Sequence, residues 1–502
     1  MSPAPWDVVI VGAGAGGGTV AAALAPLARA GRRILVLEHG PRWRPDDDDL
    51  DELLRAERLY EGAGATFTAD GTIALSTGRL LGGSTAISTG VAMVPSSATI
   101  AAWQVPELDG ADVERRARVF GEACGAQFLP DAALNENNRL FAEGATRAGY
   151  SPTQVRLLVR GCRGAGVCHL GCPNGAVQGT HLVQLPAAEA AGVQVVTGAE
   201  VLRVSQGQLV VRVHAGTSGP WPPGEQVIDA ACIVLAAGTL HTAGLLLRAG
   251  LGEALPRVGR GVTCHPSHVI VAEHGRAITN AVGHPTSFLV DHTLDHGYGL
   301  EPCFSSPLVT ARNLTGFGDA HAQVLAVYPR LQMLRATARD HADDDHRVRL
   351  DREGVPRLHY RWSPQLRATL VAAQRAAARV AFAAGAVRVH VSAADPPRLD
   401  RADIGALERR IDAALELPGR VSLSATQPLG GAAMGRGPRD SVTDAWGRVH
   451  GAPWLRVADG ALCPDSPGLH PMLTIMALAD RVAEGISRDL PTLDAARRGA
   501  AA

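Results

Sequence analysis

Three groups of residues in this 502-residue chain have types and spacings that could do chemistry. Gly12, Gly14 and Gly17 spell G-x-G-x-x-G within "DVVIVGAGAGGG", and Glu38 stands 21 residues beyond the last of them. Glycines so spaced let the backbone reach a pyrophosphate at a helix N-terminus, and the acid can bind ribose hydroxyls. An acid at position 38 argues against a 2′-phosphate, hence against NADP, but does not separate NAD from FAD. The second group is His470, set directly before Pro471 at the mouth of the apolar "MLTIMALAD", where a neutral imidazole could take a proton. The third is Cys162, Cys168 and Cys172 in "GCRGAGVCHLGCPNGA". Thiolates at such spacing can bind zinc or an iron–sulfur cluster. A four-cysteine site would need a distant ligand, so the favoured reading is free thiols in a packed loop, with no metal.

The elements that must hold these groups are partly legible. "DVVIVGAG" and "RRILVLEHG" read as strands around a small-residue helix, and apolar runs without alternation suit a parallel sheet covered on both faces. The acidic run in "PRWRPDDDDLDELLRAERL" is expected in solvent at the start of a helix. "ACIVLAAGTLHTAGLLLRAG" reads as strand, tight turn and helix. "RDHADDDHRVRLDREG" predicts an exposed hairpin, and Ser363 with Pro364 predicts the start of a helix. A residue before proline is pushed to extended backbone and Pro471 suits the first helical position, so His470 is expected near the N-cap. The positive end of the helix there favours a neutral ring.

Composition narrows the function classes. With 46% apolar residues, 19% charged residues and a net charge of −1, the chain reads as an ordinary globular protein of about two domains. Nothing in this charge balance suggests nucleic acid or an anionic membrane. No apolar run reaches the ~18 residues of a membrane span, and the start lacks a signal-peptide profile. Eight cysteines in this length are not a disulfide framework, so a cytoplasmic setting is expected. Neither H-E-x-x-H nor G-x-S-x-G occurs.

Four further blocks carry a resemblance. "GRLLGGSTAIS" (78–88) resembles the first signature of the glucose-methanol-choline (GMC) flavin oxidoreductases, and "AAGTLHTAGLLLRAG" (236–250) resembles the second. "VGRGVTCHP" (258–266) resembles the segment that follows, and residues 447–486, including "GLHPMLTIMALADR", resemble the family's C-terminal block. They fall in family order, while the middle of the chain matches poorly.

The resemblance implies FAD, covalently or non-covalently bound. It also implies an α/β plus α+β fold, with a Rossmann-like FAD-binding domain built from discontinuous segments 1–100, 180–265 and 415–502. Residues 101–179 and 266–414 would form a β-sheet/helix substrate-binding domain and connecting loops. By carry-over Arg79, Gly82, Gly83 and Ser84 would lie along the cofactor, with Ser88 where many members have asparagine. Val201 would meet the adenine through its backbone and Asp459 the ribityl-pyrophosphate region. Gly460, Pro471 and Met472 would complete the cofactor-facing set.

Such enzymes usually oxidise the CH–OH group of an alcohol, passing hydride to flavin N5 beside a histidine and a second histidine or asparagine. "SATQPLGGAAMG" (424–435) aligns with the block that usually begins with the first of these, and Gln427 stands there. Glutamine does not accept a proton at neutral pH but can orient a hydroxyl, which leaves His470 as the base and Gln427 as its partner. The "GCPNGA" loop resembles that of long-chain and sterol alcohol oxidases, so a fairly apolar small-molecule alcohol is expected. The acceptor (oxygen, a quinone or a protein) stays open. Two alternatives remain: a redox-silent FAD-containing lyase on this scaffold, or an electron-relay dehydrogenase subunit tied to the cysteine loop. His241, His265 and His268 lie near the family blocks and are expected to be ordinary core or surface histidines.

Overall fold

The computed structural model describes residues 5–44, 51–215, 221–278, 281–303, 306–314, 316–393, 398–412, 414 and 416–500. The acidic run 46–49 lies outside them. Asp51 caps the helix that follows, accepting hydrogen bonds from the backbone N–H groups of Leu53 and Leu54.

The uninterrupted apolar runs build one eight-stranded sheet. Strand Trp6–Val11 pairs in parallel with Ile34–Glu38 on one side and Gly224–Leu235 on the other. Gln194–Thr197 and Ala452–Val457 extend the parallel set outward. An antiparallel ribbon, Ala199–Ser205 with Gln208–Val213, joins through the long Gly224–Leu235 strand. Helices Ala15–Ala23 and Met472–Ala500 pack against each other beside this sheet. The approach is close enough to demand glycine. A Cβ on Gly12, whose φ is +99°, would stand 2.2 Å from the Ala236 carbonyl oxygen, and one on Gly16 would stand 1.6 Å from that of Ala458.

The second sheet has ten strands and is mostly antiparallel. Its centre is Ser267–Glu273 paired with Leu331–Ala338, which pairs in turn with Tyr298–Pro302. Helix Pro364–Ala383 covers one face, burying Leu370, Ala373 and Ala377 against Ile270, Leu334 and Ala336. Ser363 caps that helix by accepting from the Leu366 N–H, and Pro364 occupies the first turn. Residues Arg347–Leu350 and Pro356–His359 form a hairpin whose first strand and turn lie in the segment 339–354 read as an exposed hairpin, while its second strand lies beyond that segment and Val348 and Leu358 are buried. Strands Thr66–Phe67, Ile73–Leu75 and Leu423–Ala425 come from segments read as cofactor-binding, yet they pair into this second sheet. Leu423–Ala425 runs parallel to Ile73–Leu75 and bridges to Ser267. No described helix is long and apolar enough to cross a membrane.

Candidate functional site

The glycine turn between Val11 and Ala15 meets a second glycine pair. A Cβ on Gly83 would lie 3.0 Å from the Gly14 Cα, whereas a Cβ on Gly14 would meet nothing nearer than that residue's Cα at 3.9 Å. Gly17 serves packing, because its Cβ would stand 1.9 Å from the Gly12 carbonyl oxygen. Helix Ala15–Ala23 has no side-chain cap and no acid in its first turn, so its leading N–H groups are free to face an anion. Gly82 packs on His181, whose buried Nδ1 has no hydrogen-bond partner among the described residues.

Glu38 is buried at the end of its strand. Its Oε2 accepts from the Ala13 N–H at 2.9 Å and its Oε1 from the Gly40 N–H at 2.8 Å. Burial pushes its carboxyl up to about 7, against the pull of those two donors. A backbone cradle, an uncapped helix end, an orphaned polar atom and a carboxylate on the next strand fit a dinucleotide.

The remaining cofactor candidates are placed as follows. Arg79 faces Glu61, with Nε 3.9 Å from a carboxylate oxygen, and the half-exposed His241 approaches the same carboxylate at 3.9 Å. Ser84 Oγ accepts from the Gly78 N–H, and Ser88 Oγ accepts from that of Gly90 while donating to the Thr85 carbonyl. Val201 is buried in the ribbon opposite Val211. Asp459 is engaged within the protein: it accepts from the Gly238 N–H, the Thr242 hydroxyl and the Ala461 N–H, and burial raises its carboxyl. Gly460 accepts the Gly430 N–H, and Pro471 accepts that of Ile475 in the helix begun by Met472.

Gln427 and His470 come together, with two partners the sequence did not single out. His470 Nε2 lies 2.8 Å from Glu301 Oε2, and Glu301 Oε1 lies 3.1 Å from Arg335 Nη1. Gln427 Oε1 lies 3.2 Å from the His470 backbone N and 2.8 Å from His265 Nδ1. A backbone N–H only donates, so the amide atom facing it must be oxygen. Gln427 therefore turns its NH2 group to His470 Nδ1, at 3.4 Å, and that nitrogen is the acceptor. The proton of neutral His470 then sits on Nε2, donated to Glu301. His265 is fixed likewise: Nδ1–H donates to Gln427, and Nε2 accepts from Ser466 Oγ at 2.6 Å.

The electrostatics follow from burial and pairing. Glu301 has 4% of its side chain exposed and His470 10%. Burial alone would raise the Glu301 carboxyl, but His470 once protonated, the Arg335 charge and the hydrogen bond from His470 hold it below the usual carboxylate range. Burial holds His265 below the usual imidazole range.

Two expectations are corrected here. His470 has φ +53°, in the left-handed region, where extended backbone was expected before proline. The bonds from its N–H to Gln427 and from Nε2 to Glu301 over-determine the position. His265, read as ordinary, belongs to the row and shares the left-handed backbone, at φ +54°. His268 does behave as a core histidine, bonded to Glu416 and Gln374. For Glu301 and Arg335 the available signal was a charge inside the apolar strands "YGLEP" and "LQMLRATA".

The cysteine loop is tied down from outside. Arg55, buried over the Trp43 ring, donates to the carbonyls of Leu170 and Gly171, and the Tyr60 hydroxyl donates to that of His169. All eight cysteines are free thiols. Among the described residues the sulfurs of Cys162, Cys168 and Cys172 do not converge within 4.8 Å of one another, and burial pushes the Cys168 thiol well up.

Comparison with known proteins places this chain among relatives. Residues 56–267 match the N-terminal family model described as GMC oxidoreductase, and residues 343–479 match the C-terminal one. An uncharacterized GMC-type oxidoreductase of Mycobacterium tuberculosis is 32% identical, the match covering 95% of this chain and 75% of that protein. Long-chain-alcohol oxidase FAO4B of Arabidopsis thaliana is 27% identical, covering 94% of this chain and 66% of the oxidase. Paromamine 6'-oxidase of Streptomyces fradiae is 26% identical, covering 97% and 92%. Among solved structures, pyridoxine 4-oxidase superposes with a TM-score of 0.69 at 17% identity, covering 96% of this chain and 99% of that one. Formate oxidase of Aspergillus oryzae does so with a TM-score of 0.70 at 15% identity, covering 98% and 99%.

Proposed function

The chain belongs to the GMC oxidoreductase family, with FAD as its cofactor, and from that premise we propose that it oxidises the CH–OH group of a small-molecule alcohol with His470 as base. The observation that carries this reading is the row Glu301–His470–Gln427–His265, in which His265 Nε2 is taken by the Ser466 hydroxyl at 2.6 Å while the other unprotonated nitrogen, His470 Nδ1, faces only a long 3.4 Å contact. Gly12, Gly14, Gly83 and Glu38 would hold the cofactor, together with the other residues assigned to it above. Bound FAD supplies the acceptor for the hydride that leaves the carbinol carbon.

The protein's own part is proton transfer and orientation. The hydroxyl proton passes to His470 Nδ1, and the resulting imidazolium keeps its Nε2–H on the Glu301 carboxylate. Arg335 holds Glu301 ionised from the far side. Gln427 fixes the ring's tautomer, because its oxygen is committed to the His470 and His265 N–H groups. The likeness to long-chain-alcohol oxidases supports a fairly apolar alcohol.

Anaerobic mixing of the flavin-loaded protein with alcohols of increasing chain length tests this reading. Flavin bleaching that His470→Ala slows is expected. A flavin that stays oxidised with every alcohol would overturn it.

A further inference from the structure

The ribbon Ala199–Ser205/Gln208–Val213 brings three side chains together at the end of the strand that carries Glu38. Ligand atoms of His39, Glu200 and His214 all lie within 4.8 Å of one another. Backbone bonds fix the arrangement: the Gly198 N–H donates to the Gly40 carbonyl at 3.1 Å, and the Gly198 carbonyl accepts from the His214 N–H at 2.9 Å. The two imidazoles lie nearly parallel, with centroids 5.5 Å apart and planes 22° from one another. His214 Nε2 stands 3.6 Å from Glu200 Oε2.

We propose that His39, Glu200 and His214 form a binding site for a divalent transition-metal ion, of the Zn2+ and Cu2+ class. Two imidazoles and one carboxylate suit these ions and not Mg2+ or Ca2+, which take oxygen ligands. His214 is 45% exposed, so solvent reaches the site and water can complete the coordination. The nearest competitor is Arg212, whose Nη1 lies 3.6 Å from Glu200. Its Nη2 already bonds Glu225 at 3.0 Å, so Arg212 keeps a carboxylate when Glu200 turns to the metal. The Gly40 N–H that bonds Glu38 is one residue from His39, so the ion would brace the strand end that presents Glu38.

Calorimetric titration of the flavin-loaded, chelator-treated protein with Zn2+, Cu2+ and Mg2+ chlorides tests the site. One Zn2+ per chain is expected, with Cu2+ tighter and Mg2+ unbound. His214→Ala and Glu200→Gln should each weaken Zn2+ by about tenfold or more, with the flavin absorbance unchanged as the check on folding. Failure of the wild-type chain to bind Zn2+, or binding that both variants retain, would overturn the assignment. The retained case would put the ion elsewhere, with the cysteine loop the first place to look.

Discussion

His470 Nε2 and Glu301 Oε2 stand 2.8 Å apart, although 169 residues separate them in the chain and they belong to different layers of the fold. Because Glu301 accepts the hydrogen bond from Nε2–H, Nδ1 is the nitrogen left for the proposed base. His470→Ala should lower kcat by about 10²- to 10⁴-fold, the range for losing a positioned base. Flavin content should be unchanged, and single-turnover flavin reduction is the measurement.

Glu301→Gln keeps the shape and removes the charge. Losing a hydrogen bond to a charged group costs about 1.5–3 kcal/mol, so kcat should fall roughly 10- to 150-fold with little change in KM. The same variant carries a stability signature. Burial raises the Glu301 carboxyl, but His470 and Arg335 outweigh it and leave the value below the ordinary 4.5. A depressed carboxyl contributes stability that is fully present above 4.5 and lost as pH falls through the native value. Melting temperatures below pH 4.5 should therefore fall more steeply for wild type than for Glu301→Gln.

Gln427→Ala removes the group that fixes both imidazoles. A drop in kcat of about tenfold, matching the ~1–1.5 kcal/mol net worth of an ordinary hydrogen bond, is expected. Because Gln427 orients His470 and does not take the proton, the loss should fall on single-turnover flavin reduction, and Gln427→Asn, which keeps the amide, should recover part of it.

How much of this was open to reading depended on distance along the chain. The glycine turn, the helix it opens and the acid after the next strand lie within the first forty residues, and local spacing carries them. Ser363 and Pro364 mark a helix start by the same local logic. Glu301 and Arg335 are different. They are cross-strand neighbours in a sheet whose partners come from all over the sequence, and their strands read as apolar. The left-handed turn at His470 was hidden for a related reason. The rule for residues before proline is local, while Gln427 and Glu301, which set the backbone, are not.

Glu38 gives a second pH test, of opposite sign. Its carboxyl rises from 4.5 to about 7 in the folded chain. A raised acid contributes stability that is fully present below 4.5 and lost as pH rises through about 7. Flavin-free wild-type protein should therefore lose more stability between these values than flavin-free Glu38→Gln, by melting at each pH.

Glu38→Ala tests the cradle. The variant should bind FAD more weakly by about 1.5–3 kcal/mol, the worth of a bond to a charged group, roughly 10- to 150-fold in Kd. Equilibrium dialysis against free FAD measures it.

The pairing of Glu301 with His470 also bears on biogenesis. The carboxylate arrives on the mostly antiparallel sheet, and the imidazole arrives at the head of the long C-terminal helix beside the parallel one. A chain emerging from the ribosome completes the glycine turn early, yet it lacks the His470–Glu301 pair until residues 470–500 have docked. Pro471 and Met472, read as cofactor-facing, arrive with the same segment, and their helix packs on the one that the glycine turn opens, so a product truncated before it would lack the His470–Glu301 pair and part of the proposed flavin cradle together.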